Sequence, residues 1–168
     1  MLELGDNKIR VRNNFHCNNF TKSPFLHQEI KNLDSLVNLK SLFLGKNKIS
    51  KIENLDKLIN LECLSLQCNR VVKMENLHAL GNLSELYLSE NGIEQIEGLE
   101  SNTKLETLDL AKNRIKKIEN VSHLKEMTEF WINDNQVGDW KCLDNLKGNE
   151  KLETVYLERN PIASDVQY

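Results

Sequence analysis

The chain has 168 residues, of which 39% are hydrophobic and 28% are charged, and its formal net charge is −3. That length is enough for one domain with a hydrophobic core, and that composition argues against disorder and against membrane insertion, since no apolar run approaches the roughly 18 residues of a spanning helix. The slightly acidic balance disfavours a nucleic-acid-binding protein, which normally carries a basic surface.

The first predicted element is residues 1–9, which contain the stretch LELGDNKI with the spacing LxLxxNxI. The same spacing recurs further along the chain, so we interpret these residues as a partial repeat that lacks the opening half of its strand. Residues 10–27 break the spacing and hold three of the five phenylalanines. We expect this segment to be a non-repeat insertion that leaves the repeated structure, or else an artefact of the sequence.

Repeats then occupy residues 30–160, in the frame LxxLxLxxNxIxxIxxLxxL. Stretches such as ELYLSENGI and TLDLAKNRI carry its central part, and its asparagine recurs every 22 residues: Asn47, Asn69, Asn91, Asn113 and Asn135. This spacing is the pattern of the leucine-rich repeat. It predicts an α/β solenoid, a horseshoe with a parallel sheet on its concave side and short helical or 3₁₀ returns on its convex side.

Two kinds of position in the frame predict the packing of this solenoid. One repeat cannot bury its apolar face alone, so neighbouring repeats are expected to stack their leucines into one continuous core. The recurring asparagine is expected to turn inward and to bond backbone groups of adjacent turns, which lack partners where the chain bends. Within the complete repeats, Asn102 is the one polar residue at an apolar position of the frame.

The last repeat contains ETVYLERNPI and reaches Asn160 after a step of 25 residues. We expect the three extra residues between Leu146 and Leu152, around Gly148, in a loop. Trp140 occupies an isoleucine position of the frame and is expected in the core. Residues 161–168 are interpreted as an incomplete C-terminal cap, so that residues 1–168 form a single leucine-rich-repeat domain.

The concave face holds the candidate binding residues. The residue between the two leucine positions of LxLxxN points out of the sheet, and along the chain this position includes Phe43, Tyr87, Trp131 and Tyr156. Aromatic residues grouped with carboxylates on a rigid curved surface are typical of a protein-binding site. Stacking between neighbouring strands is the alternative explanation for these aromatics.

No catalytic, metal-binding or cofactor site is predicted. Asp109 and Glu129 form a candidate acid–base pair on adjacent strands, but an open face is expected to leave both carboxylates solvated and ionised. The four cysteines include no CxxC pair, and no glycine-rich phosphate loop follows a strand. We therefore expect a protein that is not an enzyme and has no small-molecule substrate.

Several stretches also resemble the 22-residue leucine-rich-repeat regulators of protein phosphatase 1, namely SLFLGKNKI, ELYLSENGIEQIEGLE, NRIKKIENVSHL, EFWINDN and LETVYLERNP. The resemblance implies a noncatalytic horseshoe that grips the phosphatase catalytic subunit on its concave face, affects its maturation and activity, and occurs in the nucleus and cytoplasm. Carried over to this chain, the family's partner contacts fall on six residues: Phe43, Tyr87, Asp109, Glu129, Trp131 and Tyr156.

Two alternatives to this function stay open. The chain could be a different leucine-rich-repeat adaptor, for example a ciliary or cytoskeletal one, or a truncated fragment without autonomous function. Members of the resembled family carry further repeats and a complete cap and lack the insertion at residues 10–27, which leaves open whether the isolated chain folds. Tolerance of the concave aromatics to substitution would favour these alternatives over a phosphatase regulator.

Overall fold

Six short parallel strands form the backbone of the molecule in the computed structural model, which describes residues 29–164. Each strand has three residues: β1 (Ser41–Phe43), β2 (Cys63–Ser65), β3 (Glu85–Tyr87), β4 (Thr107–Asp109), β5 (Glu129–Trp131) and β6 (Thr154–Tyr156). They lie side by side in chain order in one sheet. The predicted solenoid with a parallel sheet is thus confirmed.

Equivalent residues of successive repeats are paired across this sheet, which builds the core. The middle residues align as Leu42 with Leu64, Leu64 with Leu86, and onward in the same register to Phe130. In β2 to β5 these middle side chains are completely buried. Because burial of one such side chain contributes about 1.5–3 kcal/mol, the repeated leucines supply much of the driving force for stacking.

The recurring asparagines fasten one repeat to the next, as predicted. The Nδ2 group of Asn69 donates to the Leu66 carbonyl of its own turn at 2.9 Å and to the Leu44 carbonyl of the preceding repeat at 3.0 Å. Its Oδ1 atom accepts from the Ile49 amide at 3.0 Å. The equivalent asparagines make the same type of contact: Asn91, Asn113, Asn135 and Asn160.

The returns between strands are mostly tight turns. Successive hydrogen bonds of 2.9 Å from the Leu58 amide to the Leu55 carbonyl, and from the Leu61 amide to the Leu58 carbonyl, are typical of them. In residues 29–164 only two returns contain a 3₁₀ helix, Trp140–Leu146 and Pro161–Ser164. The second helix begins the predicted cap; residues 165–168, the partial repeat 1–9 and the insertion 10–27 lie outside the described residues.

The position predicted for the three extra residues is wrong. Asn145 donates to the Ile118 carbonyl at 2.8 Å, as Asn120 donates to the Ile96 carbonyl at 2.7 Å, and these asparagines are 25 residues apart. The extra residues therefore precede Asn145 and are absorbed by the helix Trp140–Leu146, not by a loop around Gly148. The Asp139 side chain caps this helix by accepting from the Lys141 amide, and Trp140 packs partly buried against the core.

Asn102, the polar residue at an apolar position of the frame, belongs to the core. It is completely buried, and its Nδ2 group donates to the carbonyls of Leu77 and Leu80 at 3.1 and 2.9 Å. Asn149, in the return before β6, makes the equivalent pair of bonds to Val121 and Leu124. Both asparagines bridge neighbouring repeats, so their role is structural.

Candidate protein-binding surface

The third residues of the six strands form one line across the sheet, which we call the concave row: Phe43, Ser65, Tyr87, Asp109, Trp131 and Tyr156. Each lies next to its equivalent on the adjacent strand because the parallel register is identical at every step. Five of the six predicted binding residues therefore share one row. The sixth, Glu129, lies in the row of first strand residues, beside Thr107 and Thr154.

Trp131 and Tyr156 form an aromatic pair at one end of the concave row. Their rings meet edge to face, with centroids 5.6 Å apart and planes at 80°. Tyr156 is 42% exposed and Trp131 is half-buried. Such a contact stabilises by about 0.5–1.5 kcal/mol beyond area burial, and it fixes the side of the indole that stays open to a partner. Trp131 faces outward as predicted, but the tyrosine covers part of it.

Tyr87 and Phe43 lie half-buried in the other half of the row. The Tyr87 hydroxyl donates to the Glu85 carboxylate at 3.0 Å. Burial, and then this bond to Glu85, raises the pKa of Tyr87 well above its usual range. Burial and the same carboxylate also raise the pKa of the Cys63 thiol to about 12, so that both groups stay neutral and neither serves as a nucleophile near neutral pH.

Asp109 is buried, so the expectation that an open face leaves this carboxylate solvated is wrong. The residue is only 1% exposed. Its Oδ1 atom accepts from the Ala111 amide and its Oδ2 atom from Gln67 Nε2, both at 3.0 Å, and the Ser89 side chain also bonds it. Burial raises the pKa of Asp109 above 3.8, against the lowering effect of these three hydrogen bonds. As a direct partner contact this carboxylate offers almost no surface.

The candidate acid–base pair, which the sequence did not favour, is not brought together in the sheet. In the sheet, Asp109 is aligned with Trp131, whereas Glu129 is aligned with Thr107. The pKa of Asp109 is set by burial, by its hydrogen bonds to Ser89, to the Ala111 amide and to Gln67, and by the charge of Glu90. The two carboxylates therefore lie in different rows and act separately.

Sequence reasoning missed Gln67 and Ser89, the residues that cover Asp109. They lie two residues beyond the third strand residue of their repeats, and alternation along an extended chain turns that position to the same face. Gln67 reaches across two repeats to Asp109. The spacing therefore indicated that Gln67 and Ser89 lie on the same face as Asp109. Whether Gln67 shields the carboxylate depends on the length of its side chain, which spacing does not give.

The electrostatic character of this face is acidic. Three rows face outward: the first strand residues, the concave row, and the residues two positions beyond it. In the repeats that carry β1 to β6, these three rows contain no Lys or Arg. Their carboxylates are Glu85, Asp109, Glu129 and Glu158. Cations occur one position further along the repeat, where Lys112 pairs with Glu90 and Arg159 pairs with Asp134.

Other kinds of site have little support in the part of the chain that the structure describes. No group of three or more His, Cys, Asp or Glu residues there is arranged to hold a metal ion, and no helix there is long and apolar enough to cross a membrane. A shallow cavity of about 320 Å³ lies away from the sheet, between residues 73–78 and residues 97–100. The concave face therefore remains the principal candidate surface.

The comparison with protein families agrees with this geometry. Residues 37–78, 81–126 and 103–145 match the model for leucine-rich repeats in two copies. The chain belongs to the leucine-rich repeat family. Leucine-rich repeats stack into protein-interaction scaffolds that present an extended concave binding surface.

Among curated proteins, the chain is similar to protein phosphatase 1 regulatory subunit 7 of Homo sapiens, Rattus norvegicus and Mus musculus. In each case 29 residues are 66% identical, which is 17% of this chain and 8% of the relative. The matched stretch thus spans a small part of these relatives. It shows a local likeness and leaves the activity of the whole relatives to be tested in this chain.

Among solved structures, the chain is similar to an internalin C2 from Listeria monocytogenes. The TM-score is 0.69 at 29% identity, over 74% of this chain and 54% of that one. An internalin F of the same organism gives a TM-score of 0.57 at 24% identity, over 78% of this chain and 46% of that one. At that identity the second likeness concerns the fold alone.

Proposed function

We propose that this chain is a noncatalytic regulatory module that binds the catalytic subunit of protein phosphatase 1 through its concave face and modulates the activity or maturation of that enzyme. The local likeness to a protein named as a regulatory subunit of this phosphatase supports the partner. The observation that carries the binding mode is the paired rings of Trp131 and Tyr156 beside Glu129 and Glu158. The proposal includes a location in the nucleus and cytoplasm.

The physical basis of binding is a rigid surface with a few large anchors. The inward asparagines and the continuous core hold the strands in place, so that little conformational entropy is lost when a partner docks. Half-exposed aromatic rings then exclude water from the contact, and neighbouring carboxylates select a partner surface of opposite charge. The phosphatase would supply the catalytic metals and the chemistry, and this chain would cover or hold one of its surfaces.

Removal of the Trp131 side chain, the largest aromatic anchor of the concave row, tests this proposal. Trp131→Ala is expected to weaken binding of purified protein phosphatase 1 catalytic subunit by about thirtyfold or more, which corresponds to about 2 kcal/mol. Binding is measured by calorimetry or by retention on the immobilised chain. Glu129→Lys is a second variant, because it reverses a charge on the acidic face without removing a ring.

The matched control is Ile59→Ala, which truncates a 55% exposed apolar side chain in a return, away from the sheet. This variant is expected to bind as the unmodified chain does. Circular dichroism and thermal unfolding on all variants identify any that do not fold. Equal losses for Trp131→Ala and Ile59→Ala would contradict the concave binding mode, and absence of binding by a folded unmodified chain would contradict the partner.

A further inference from the structure

Two tyrosines lie in the concave row, and their hydroxyl groups have different surroundings. Tyr87, on the central strand β3, is half-buried and donates its hydroxyl proton to Glu85 at 3.0 Å. Tyr156, on β6, is 42% exposed and contacts Trp131 through its ring. The same position of the repeat thus presents a covered phenol in the centre of the sheet and an accessible phenol at its end.

The strand that carries Tyr156 is also the least enclosed of the six strands in residues 29–164. β6 is the last strand of the sheet, and its middle residue Val155 is half-buried, whereas the middle residues of β2 to β5 are completely buried. Leu152 and Leu157, on either side of the strand, are likewise only partly buried. An edge segment with few buried apolar contacts opens locally at low cost, and such opening favours access by an enzyme that binds extended peptide.

Carboxylates lie near Tyr156 along the chain, and one lies on the adjacent strand. Glu153 precedes it by three residues, Glu158 follows it by two, and Glu129 lies on the adjacent strand. The nearest cation along the chain, Arg159, donates from its Nη2 atom to Asp134 at 2.7 Å. An acidic segment of this kind complements a basic substrate groove of a kinase, and its carboxylates repel an added phosphate.

From these observations we propose that Tyr156 is a site of tyrosine phosphorylation that closes the concave face. A tyrosine kinase transfers the γ-phosphoryl group of ATP to the Tyr156 oxygen, the phenolic proton passes to the base of the kinase, and ADP leaves. The phosphate adds a charge of about −1.5 to −2 beside Glu129 and Glu158. A docking partner would then have to bury this charge against Trp131, which opposes binding.

Mapping of the modified residue tests the site without reference to any partner. The kinase is a purified tyrosine kinase catalytic domain that phosphorylates a synthetic peptide of residues 150–162, and the substrate is the full chain with Tyr168→Phe. Mass spectrometry is expected to find phosphate on Tyr156 and none on Tyr87. Label should persist in a Tyr87→Phe variant and disappear in a Tyr156→Phe variant. Label on Tyr87 alone, or no label on the folded chain, would overturn the proposal.

The regulatory consequence rests on the proposed function and is measured separately. The phosphorylated chain and the variant Tyr156→Glu are expected to bind the phosphatase catalytic subunit at least about tenfold more weakly than the unmodified chain. Tyr156→Phe, which keeps the ring but cannot be phosphorylated, is expected to bind equally well before and after kinase treatment. Unchanged binding by the phosphorylated chain would overturn the closure of the face. If the unmodified chain does not bind, the phosphatase assignment fails while the mapping still decides the modification site.

Discussion

Asp109 shows at the scale of one residue how the concave face is held in shape. Its buried carboxylate joins three repeats, since it accepts hydrogen bonds from Gln67, from Ser89 and from the Ala111 amide of its own repeat. These bonds fix the backbone beside Trp131, the principal anchor of the proposed interface. They do so at a cost, because burial disfavours the charged form of the carboxyl group.

This cost predicts a pH dependence of stability. Burial raises the pKa of Asp109 above 3.8 in the fold, so the folded state holds its proton more tightly than the unfolded state. The stability that this group contributes is therefore fully present below pH 3.8 and is lost as the pH rises through the raised pKa. The unfolding free energy of the unmodified chain minus that of Asp109→Asn should thus fall as the pH rises. Urea titrations from about pH 3.5 to about 7 measure this difference.

Glu153→Gln is the matched control, since it removes one negative charge from an exposed position. Its unfolding free energy is measured over the same range, to show the effect of removing one exposed charge. A difference for Asp109→Asn that grows with pH would mean that the hydrogen bonds outweigh the burial and that the carboxylate is held ionised.

At the scale of the element, each of the four returns between β1 and β5 contains a left-handed residue that approaches the preceding repeat. Asn54, Asn76 and Asn120 adopt φ values of 57–58° and donate to the carbonyls of Ile30, Ile52 and Ile96 at 2.7 Å. Gly98 occupies the equivalent position with φ of 73°, and a Cβ atom placed on it would lie 2.6 Å from the Met74 carbonyl oxygen. At this one repeat, glycine thus stands where the other repeats have asparagine. The side-chain hydrogen bond to the preceding repeat is absent, and the backbone lies closer to that repeat instead.

Substitution of Gly98 should therefore be costly, and by an amount that depends on the new side chain. Gly98→Ala is expected to lower the unfolding free energy by about 1–3 kcal/mol, because it combines a positive φ with a steric clash. Gly98→Asn should lose less, since asparagine tolerates this conformation and its amide would reach the Met74 carbonyl. Chemical denaturation compares both with Gly81→Ala, where an added Cβ meets nothing within 4 Å. Equal losses for Ala and Asn would contradict the proposed hydrogen bond.

The elements were predictable from sequence where spacing alone determines position. The 22-residue recurrence of asparagine placed the strands and the concave row correctly, because every repeat presents the same frame to its neighbours. It failed at the step before β6, since the helix Trp140–Leu146 absorbs three residues that a count of spacing assigns to a nearby loop. It also failed to foresee the burial of Asp109, which depends on how far Gln67 extends rather than on spacing.

At the scale of the whole molecule, stability should vary along the solenoid. Each repeat contacts only its neighbours, so a repeat enclosed on both sides has two stabilising interfaces and an end repeat has one. The buried middle residues Leu86 and Leu108 mark β3 and β4 as enclosed, whereas the middle residue of β6, Val155, is only half-buried. Local opening is then expected to be most frequent at β6, the strand that carries Tyr156.

Hydrogen exchange measured by mass spectrometry tests this gradient. Peptides that cover β3 and β4 should exchange their amides at least about tenfold more slowly than peptides that cover β6 and Pro161–Ser164, because they must break two interfaces to open. Bound phosphatase should slow the exchange at β6 most, since the partner would cover Trp131 and Tyr156. Equal protection in all strands from β1 to β6 would show that the repeats that carry them unfold as one cooperative unit. Tyr156 would then reach a kinase only as an exposed side chain on a closed fold, and local opening of β6 would play no part in its phosphorylation.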